Sequence, residues 1–256
     1  MKKYVFFLAL VLFFSCGEEE ELPPIQAANL AEYIADNSLL PLVTDSLIAC
    51  AAGGQEEFMV NEERPISIFF LPEGNATEFL YFETDSIDVD PEDFSRYKTV
   101  TLPDFPLFNG FLRHFTRPAI DRNIWCRVSF IKNDQIYISN KIRLKYNDFP
   151  TEFNPGLLEI NQDEKLSPVF TWEEGQSSEN AIFFQVVSDA DKNLLSGTYT
   201  FEQEFQFYNL DNVVLNVRDI TPAPVLLPDE DYSFLLMGVS IDSWVNLIIE
   251  ESFDTQ

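Results

Sequence analysis

The sequence DYSFLLMGVSIDSWVNLIIEESF (residues 231–253) contains the clearest secondary-structure signal in the chain. Two apolar runs rich in Leu, Ile, Val and Phe surround IDSW (241–244), in which Asp and Ser favour a turn. The pattern predicts two antiparallel β-strands joined by that turn. The first half of the chain closes in the same way, with IWCRVSFIKNDQIYISNKIRLKY (124–146). The hairpin is therefore expected to be a recurring unit of the fold.

Short apolar runs with two-residue alternation also precede these hairpins, and turn residues separate them. The segments PEGN (72–75) and DADKN (189–193) are two such turns. No long segment keeps an apolar period of 3.6 residues, so helices are expected to be minor and the fold class all-β. Besides the two hairpins, strands are predicted at 47–51, 66–71, 78–83, 98–102, 169–172, 182–188, 197–201 and 213–217.

A break that contains Pro, Asn and Gly, NDFPTEFNPG (147–156), divides the strands into two sets. Each set spans about 100 residues and contains about six strands, which is the size and strand spacing of a β-sandwich. The sequence therefore predicts two tandem antiparallel β-sandwiches, at 45–147 and 152–256.

Residues LPDEDY (227–232) resemble the approach to the sixth strand of fibronectin type III domains. The resemblance implies that Tyr232 is the tyrosine of that family's tyrosine corner. The segment FTW (170–172) resembles the second strand of the same family, which implies that Trp172 is the core indole. Both motifs concern architecture, and a fold of this kind does not define an activity.

The N-terminus carries two lysines, Lys2 and Lys3, followed by an uninterrupted apolar run at 4–14. A basic start, an apolar run of about eleven residues and the small Ser15 are typical of a secretory signal peptide, expected here at 1–15. The run is shorter than the roughly 20 residues that a membrane-spanning helix needs. We therefore expect an exported protein.

Residues FFSC (13–16) resemble a bacterial lipobox, in which the cysteine becomes the first mature residue and is acylated. The following GEEEE (17–21) is similar to the acidic export signal of surface lipoproteins from Bacteroidota-type bacteria. The resemblance implies a lipid on Cys16 that anchors the protein in the outer membrane, exposed at the cell surface. An acidic tether is expected at 16–44.

If Cys16 carries lipid, the cysteines Cys50 and Cys126 remain. An even number of thiols in an oxidising compartment favours a disulfide, and the alternative is two buried free thiols that act as small apolar residues. The first half resembles immunoglobulin-like domains, with Trp125 in the place of the corner tyrosine. That resemblance implies a bond between Cys50 on an early strand and Cys126 on the sixth strand, which would join the two sheets.

The composition narrows the classes of partner. The formal net charge is −27, so binding of nucleic acid through its phosphates is not expected. Hydrophobic residues make up 46% of the chain, and 25 residues are Phe. This apolar content is enough for packed cores, so the acidic chain is not expected to be disordered.

The sequence contains no recognisable catalytic or cofactor motif. GxSxG, HExxH, CxxC and phosphate-loop patterns are absent, and His114 is the only histidine. The acidic segment DSIDVDPED (85–93) lacks the spacing of a calcium loop and is interpreted as a solvated loop. We expect no enzymatic activity, no cofactor and no metal site.

The segment FPLFNGF (105–111) belongs to the most apolar non-periodic stretch of the chain. If exposed, Phe105, Phe108 and Phe111 are candidate contacts for a protein or a sugar ring, as is Trp244; if buried, the segment is an irregular strand of the first core. The first hypothesis is a non-catalytic interaction or accessory module of an outer-membrane assembly. The alternative is a carbohydrate-binding surface lipoprotein of a nutrient-uptake system, which coplanar exposed rings would favour.

Overall fold

The computed structural model describes residues 27–53, 65–72, 74–145, 149–164 and 166–255. β-Strands dominate these residues, which confirms the all-β class. They also contain one α-helix, α1 (Leu30–Asp36), and short 3₁₀ helices at Phe94–Arg96, Phe108–Gly110 and Pro155–Leu157. The strands are β1 (Leu42–Leu47), β2 (Ala49–Gly53), β3 (Ile66–Phe70), β4 (Thr77–Glu83), β5 (Lys98–Val100), β6 (Asp104–Leu107), β7 (Leu112–Arg117), β8 (Ile124–Lys132), β9 (Gln135–Ser139), β10 (Ile142–Leu144), β11 (Glu152–Phe153), β12 (Leu158–Asn161), β13 (Val169–Trp172), β14 (Asn180–Asp189), β15 (Leu194–Thr200), β16 (Glu204–Gln206), β17 (Val213–Asn216), β18 (Asp231–Ser240) and β19 (Val245–Asp254).

Within the described residues the strands form four sheets. Sheet 1 has the order β1-β9-β8-β4-β5, with β10 also paired to β8, and sheet 2 has the order β2-β3-β7-β6. Sheet 3 has the order β11-β19-β18-β14-β15-β17, and sheet 4 has the order β12-β13-β16. The first half of the chain supplies sheets 1 and 2, and the second half supplies sheets 3 and 4. Residues 149–151 lie where the chain passes from the first pair of sheets to β11 of sheet 3.

Each pair of sheets encloses an apolar core. The first core lies between sheets 1 and 2 and includes Phe70, Phe115 and Val128, all of them buried. The second core lies between sheets 3 and 4, where Phe170 of β13 stacks on Phe234 of β18 with ring centroids 4.1 Å apart. Burial of these large side chains removes apolar surface from water and stabilises each pair of sheets.

A third apolar cluster, the interface cluster, lies between sheets 2 and 3 and joins the two halves. Cys50 and Phe69 of sheet 2 meet Phe184 of sheet 3 within it. Consecutive residues of a strand face opposite sides, so β3 contributes Phe69 to the interface cluster but Ile68 and Phe70 to the first core. All residues of β2 and β3 are buried as a result. The four sheets are therefore stacked in the order 1-2-3-4.

Trp244 is the last residue of the turn between β18 and β19, and its side chain enters the first core although it belongs to the second half. The residue is fully buried there, and Ala51 of β2 forms a parallel bridge with it. Its indole Nε1–H donates a hydrogen bond of 2.8 Å to the carbonyl oxygen of Phe149. The backbone of the turn also binds sheet 2, since the Ala51 N–H donates to the Ser243 carbonyl at 3.0 Å. The hairpin predicted from the sequence thus connects the two halves.

Polar side chains reinforce the junction beside Trp244. The Asn140 amide binds both backbone groups of Ala49 and donates to Ser243 Oγ at 2.8 Å. The Lys145 ammonium is buried and lies 3.0 and 3.2 Å from the two carboxylate oxygens of Asp242. A buried charge that lost its partner would be strongly destabilising. The ion pair therefore favours the docked arrangement of the two halves.

Residues 27–44 were predicted to belong to the acidic tether, but in the structure they pack against sheet 1. The Asn29 side chain accepts a hydrogen bond from the Glu32 N–H and begins α1. Leu30 and Tyr33 of that helix are buried against residues of sheet 1 that include Phe82. β1 then pairs in parallel with β9. This part of the chain is packed because its few apolar residues complete the outer face of sheet 1.

Tyr232 and Trp172 both lie in the second core. The Tyr232 hydroxyl accepts a hydrogen bond of 2.8 Å from the backbone N–H of Leu227, five residues upstream. Trp172 contacts Phe183 edge to face, with ring centroids 5.4 Å apart and planes at 64°. The tyrosine thereby holds the approach to β18 against the core.

Among the described residues no helix is long and apolar enough to span a membrane. The predicted signal peptide, the lipobox and Cys16 lie outside the described residues.

Replacement of Trp244 tests its place in the first core. Trp244→Ala is expected to lower the free energy of unfolding by about 3–5 kcal/mol, because the side chain is fully buried and its removal leaves a cavity in the first core. The matched control is Ile241→Ala in the same turn, since Ile241 is 94% exposed; its effect should stay within about 0.5 kcal/mol. Denaturant unfolding of both variants measures the difference. Similar small losses in the two variants would show that Trp244 does not hold the halves together.

Candidate functional site

A cleft of ≈ 410 Å³ adjoins the interface cluster at the junction of the two halves. This volume lies within the range of about 300–1,000 Å³ that is usual for binding pockets. One wall comes from the start of β2, and the others come from β14, β15, β17 and the turn between β18 and β19. The lining is mainly apolar and consists of Asp45, Ile48, Ala49, Cys50, Asn140, Ala181, Ile182, Tyr199, Phe201, Leu215, Val239, Ser240, Ile241 and Ser243.

Three large apolar side chains around this cleft are exposed to solvent. Ile241 is 94% exposed, Phe201 is 65% exposed and Leu215 is 42% exposed. Single exposed apolar residues are ordinary, but several around one concavity mark a contact surface. We call these three residues the apolar rim. Their burial by a partner would be favourable at about 25 cal/mol per Å² of apolar area removed from water.

The turn between β18 and β19 explains why Ile241 is exposed. The Ser243 N–H donates to the Ser240 carbonyl at 2.9 Å, and Ser240 Oγ donates to Asp242 Oδ1 at 2.6 Å. At one end of this turn the Trp244 side chain is buried in the first core. At the tip of the turn the Ile241 side chain extends into solvent. Phe201 also lies just outside a strand: it follows the last residue of β15 and begins a bend, and its side chain is exposed.

Several polar side chains of the cleft already have partners. Asn140 binds Ala49 and Ser243, and Ser240 Oγ bonds to Asp242. Asp45 is exposed, but its carboxylate lies 3.0 Å from the buried guanidinium of Arg127. These bonds hold the two halves in place, so the cleft offers a ligand mainly apolar surface.

β17 forms the edge of sheet 3 beside the cleft. Its sequence is VVLN, with Val214 49% exposed and Leu215 42% exposed. Natural edge strands are protected by Lys or other charges, by Pro, by bulges or by short length. β17 contains no charged residue and no Pro; it spans four residues and its pairing with β15 has a register shift. The close approach of this edge to β15 depends on Gly197, because a Cβ there would lie 2.9 Å from Cγ2 of Val217. β17 is thus an apolar edge that is open to a further strand.

The four residues expected to contact a ligand do not lie on one exposed surface. Phe105 is 48% exposed and its ring centroid lies 5.7 Å from that of His114. Phe108 and Phe111 are half-buried and pack against the interface cluster. The expectation for Trp244 is wrong, because its indole is fully buried in the first core.

The segment around Phe108 and Phe111 seals the junction between the halves. Asn109 donates hydrogen bonds to the Asp191 carbonyl and to the Asn193 side chain of the second half. The Arg218 guanidinium lies 5.0 Å from the centre of the Phe111 ring. The residues of the apolar rim were not among the predicted contacts, although Ile241 lies in a predicted turn and Phe201 stands beside acidic residues in the sequence.

Cys50 and Cys126 are free thiols, so the predicted disulfide is wrong. Cys50 belongs to the interface cluster, whereas Cys126 belongs to the first core. The backbone of sheet 2 separates these clusters, and the two thiols therefore cannot meet. Burial raises the pKa of Cys50 to about 12 and also raises the pKa of Cys126. Both thiols are neutral and act as small apolar groups, which was the alternative considered.

Lys and Arg side chains from other parts of the first half bind carboxylates of the acidic segment 85–93. Lys98 lies 2.5 Å from Asp85 and lowers the pKa of that carboxyl. Lys141 and Arg127 both bind Glu92 and lower its pKa. No group of three or more His, Cys, Asp or Glu side chains in the described part of the chain is arranged to hold a metal ion.

His114 is buried and its ring stacks on Phe69 within sheet 2. Desolvation by this burial lowers the pKa of the imidazole. The histidine is therefore neutral at physiological pH and serves as a flat packing group.

No protein-family model matches the sequence, and no curated protein matches it significantly. The function is therefore inferred from the geometry of the cleft and its apolar rim.

Alkylation of the native protein tests the state of the two thiols. In unreduced, native protein at about pH 8, Cys50 and Cys126 should resist a thiol-specific reagent, because a buried neutral thiol is a poor nucleophile. After denaturation without reductant both should react. Peptide mass spectrometry identifies the modified residues, and a reduced sample treated in parallel should give the same result. A Cys50–Cys126 peptide pair linked through sulfur would contradict the structure.

Proposed function

We propose that this chain is a non-catalytic, lipid-anchored envelope protein that binds a protein partner as an accessory module of an outer-membrane assembly. The observation that carries the proposal is the apolar rim, three large exposed side chains around a mainly apolar cleft in which the side chains of Asn140, Ser240 and Asp45 already have partners. A partner that covers Phe201, Leu215 and Ile241 gains hydrophobic stabilisation without leaving new polar groups unpaired.

The location in the envelope rests on the N-terminal sequence. The apolar run 4–14, the lipobox-like FFSC and the glutamates 18–21 support acylation of Cys16 and export to the cell surface. We further propose that the two pairs of sheets are β-sandwiches of the immunoglobulin-like or fibronectin type III kind. The bond from the Leu227 N–H to the Tyr232 hydroxyl and the buried Trp172 support this for the second half.

A carbohydrate ligand fits the described surface less well. Sugar rings need an aromatic face together with polar groups that bind their hydroxyls. The exposed rings are Phe105, Phe149, Phe153 and Phe201, and no two of them are in ring contact within the described chain. Because the cleft is mainly apolar and its Asn140, Ser240 and Asp45 side chains are paired within the protein, a polypeptide with apolar side chains is the better ligand.

Site-specific photo-crosslinking on intact cells tests the partner hypothesis. A photo-reactive amino acid at position 241 should give one dominant protein adduct, because Ile241 stands at the rim of the cleft. The matched control is the same amino acid at position 39, since Leu39 is 97% exposed but does not line the cleft. Mass spectrometry of the adducts identifies the partner. An identical adduct at both positions, or no protein adduct at 241, would count against the proposal.

The anchor is tested separately. Cys16→Ala should move the protein from the membrane fraction to the soluble fraction, because the acyl chains that hold it in the bilayer are lost. Cys50→Ala should leave the protein in the membrane fraction, since Cys50 is buried in the interface cluster. Cell fractionation followed by immunodetection distinguishes the two. A Cys16→Ala variant that remained fully membrane-bound would show that lipid is not the anchor.

A further inference from the structure

The backbone of β17 has hydrogen-bonding groups that point away from sheet 3. The Val217 N–H donates to the Gly197 carbonyl at 2.8 Å, and Asn216 lies opposite Thr198 in the next position of the register. In an antiparallel pair, hydrogen-bonded and non-hydrogen-bonded positions alternate. The backbone N–H and C=O of Asn216 are therefore directed outward, as they are at an edge that can accept another strand.

The side chains of this edge lead directly into the cleft. Leu215 lies opposite Tyr199 in the register, and both residues line the cleft together with Phe201. A chain paired with β17 would place every second side chain on the same face as Leu215, because residues of a strand alternate between its two faces. The side chains that the added strand places on that face must be apolar, because they would contact the apolar lining of the cleft.

Several acidic residues lie close to the same edge along the chain. Glu202, Glu204, Asp211 and Asp219 are exposed and lie within a few residues of Phe201 or of β17. Arg218 is the only Lys or Arg in the sequence segment 201–220; it is half-buried, with its guanidinium over Phe111. The surrounding charge is thus negative, as is the whole chain at −27. Basic side chains on the incoming strand would be attracted, and acidic ones would be repelled.

We propose that the partner presents an extended segment of alternating apolar and basic residues, which pairs with β17 as an additional strand of sheet 3. Hydrogen bonds between the partner's main chain and that of Asn216 supply affinity that does not depend on side chains. Apolar side chains of the partner that pack against Leu215 and Phe201 select the register in which the added strand pairs with β17. This proposal rests on the proposed function, because it specifies the chemistry of the protein partner at the same cleft.

Two synthetic ten-residue peptides, one alternating Val with Lys and one alternating Val with Glu, serve as probes. Fluorescence anisotropy with the folded protein should show that the Lys peptide binds at least about tenfold more tightly than the Glu peptide, because the edge is acidic. Equal affinities of the two peptides would overturn the charge complementarity on which the proposal depends.

A pair of substitutions at one position tests the strand pairing itself. Asn216→Pro removes the outward N–H without removing a bond to β15, and it should weaken binding of the Lys peptide about tenfold. Asn216→Ala is the matched control, since it keeps the N–H but, like the proline variant, loses the side-chain bonds to Arg218 N and the Tyr208 hydroxyl. Binding of the alanine variant should stay within about threefold of the native protein. Circular dichroism and thermal unfolding establish that both variants are folded.

The outcomes separate this proposal from the proposed function. Equal binding by the proline and alanine variants would mean that the peptide is held by charge or side chains alone, which overturns the strand pairing. Leu215→Ser should also weaken binding of the Lys peptide, because it removes the apolar contact at the cleft.

If the crosslink at position 241 identifies a partner but neither peptide binds, the protein-binding function stands and the proposal of an added basic strand falls. If the peptides bind as expected without any crosslinked partner, the edge is confirmed but the cellular function is not.

Discussion

The arrangement of the two halves depends on the insertion of the Trp244 indole into the first core. By sequence this residue belongs to the hairpin of β18 and β19, but by packing it belongs to the core between sheets 1 and 2. Its Nε1–H is satisfied by the Phe149 carbonyl, so the indole brings no unpaired donor into the core. The free energy of unfolding of a domain is typically only about 5–15 kcal/mol. Burial of a side chain of this size is a large fraction of that value and therefore fixes the two halves in one relative position. The interface cluster and the cleft exist only because sheets 2 and 3 are held together there.

The acidic composition makes the few buried cations important for the fold. Arg127 is almost completely buried in sheet 1 and binds the carboxylates of Asp45 and Glu92. Lys145 is buried at the junction and binds Asp242. A buried charge requires a partner with good geometry, and both cations have one. Most of the other described carboxylates are exposed, and their mutual repulsion supports solubility and favours a basic partner.

The strands with strong alternation were predictable from the sequence, because burial of one face requires that pattern. The prediction of 232–240 and 245–251 corresponds to β18 and β19, which the structure extends to Asp231–Ser240 and Val245–Asp254. α1 was not predicted as a packed element, since a helix of seven residues is too short to show a periodic apolar face. The disulfide was predicted wrongly because sequence does not reveal which face of β2 carries Cys50. A shift of one residue reverses the face, and Cys50 faces sheet 3, away from Cys126.

The sequence by itself determined the all-β class and the positions of the main hairpins, because alternation and turn residues are local properties of the chain. Only the tertiary structure decided which apolar residues are available to a partner. Ile241 and Trp244 stand in the same four-residue turn, yet one is almost fully exposed and the other is fully buried. Phe201, Leu215 and Ile241 are distant in sequence and meet only where the end of β15, the edge strand β17 and this turn converge on the cleft. Alternation fixes which residues share a face of a strand, but what covers that face depends on contacts between segments far apart in the chain.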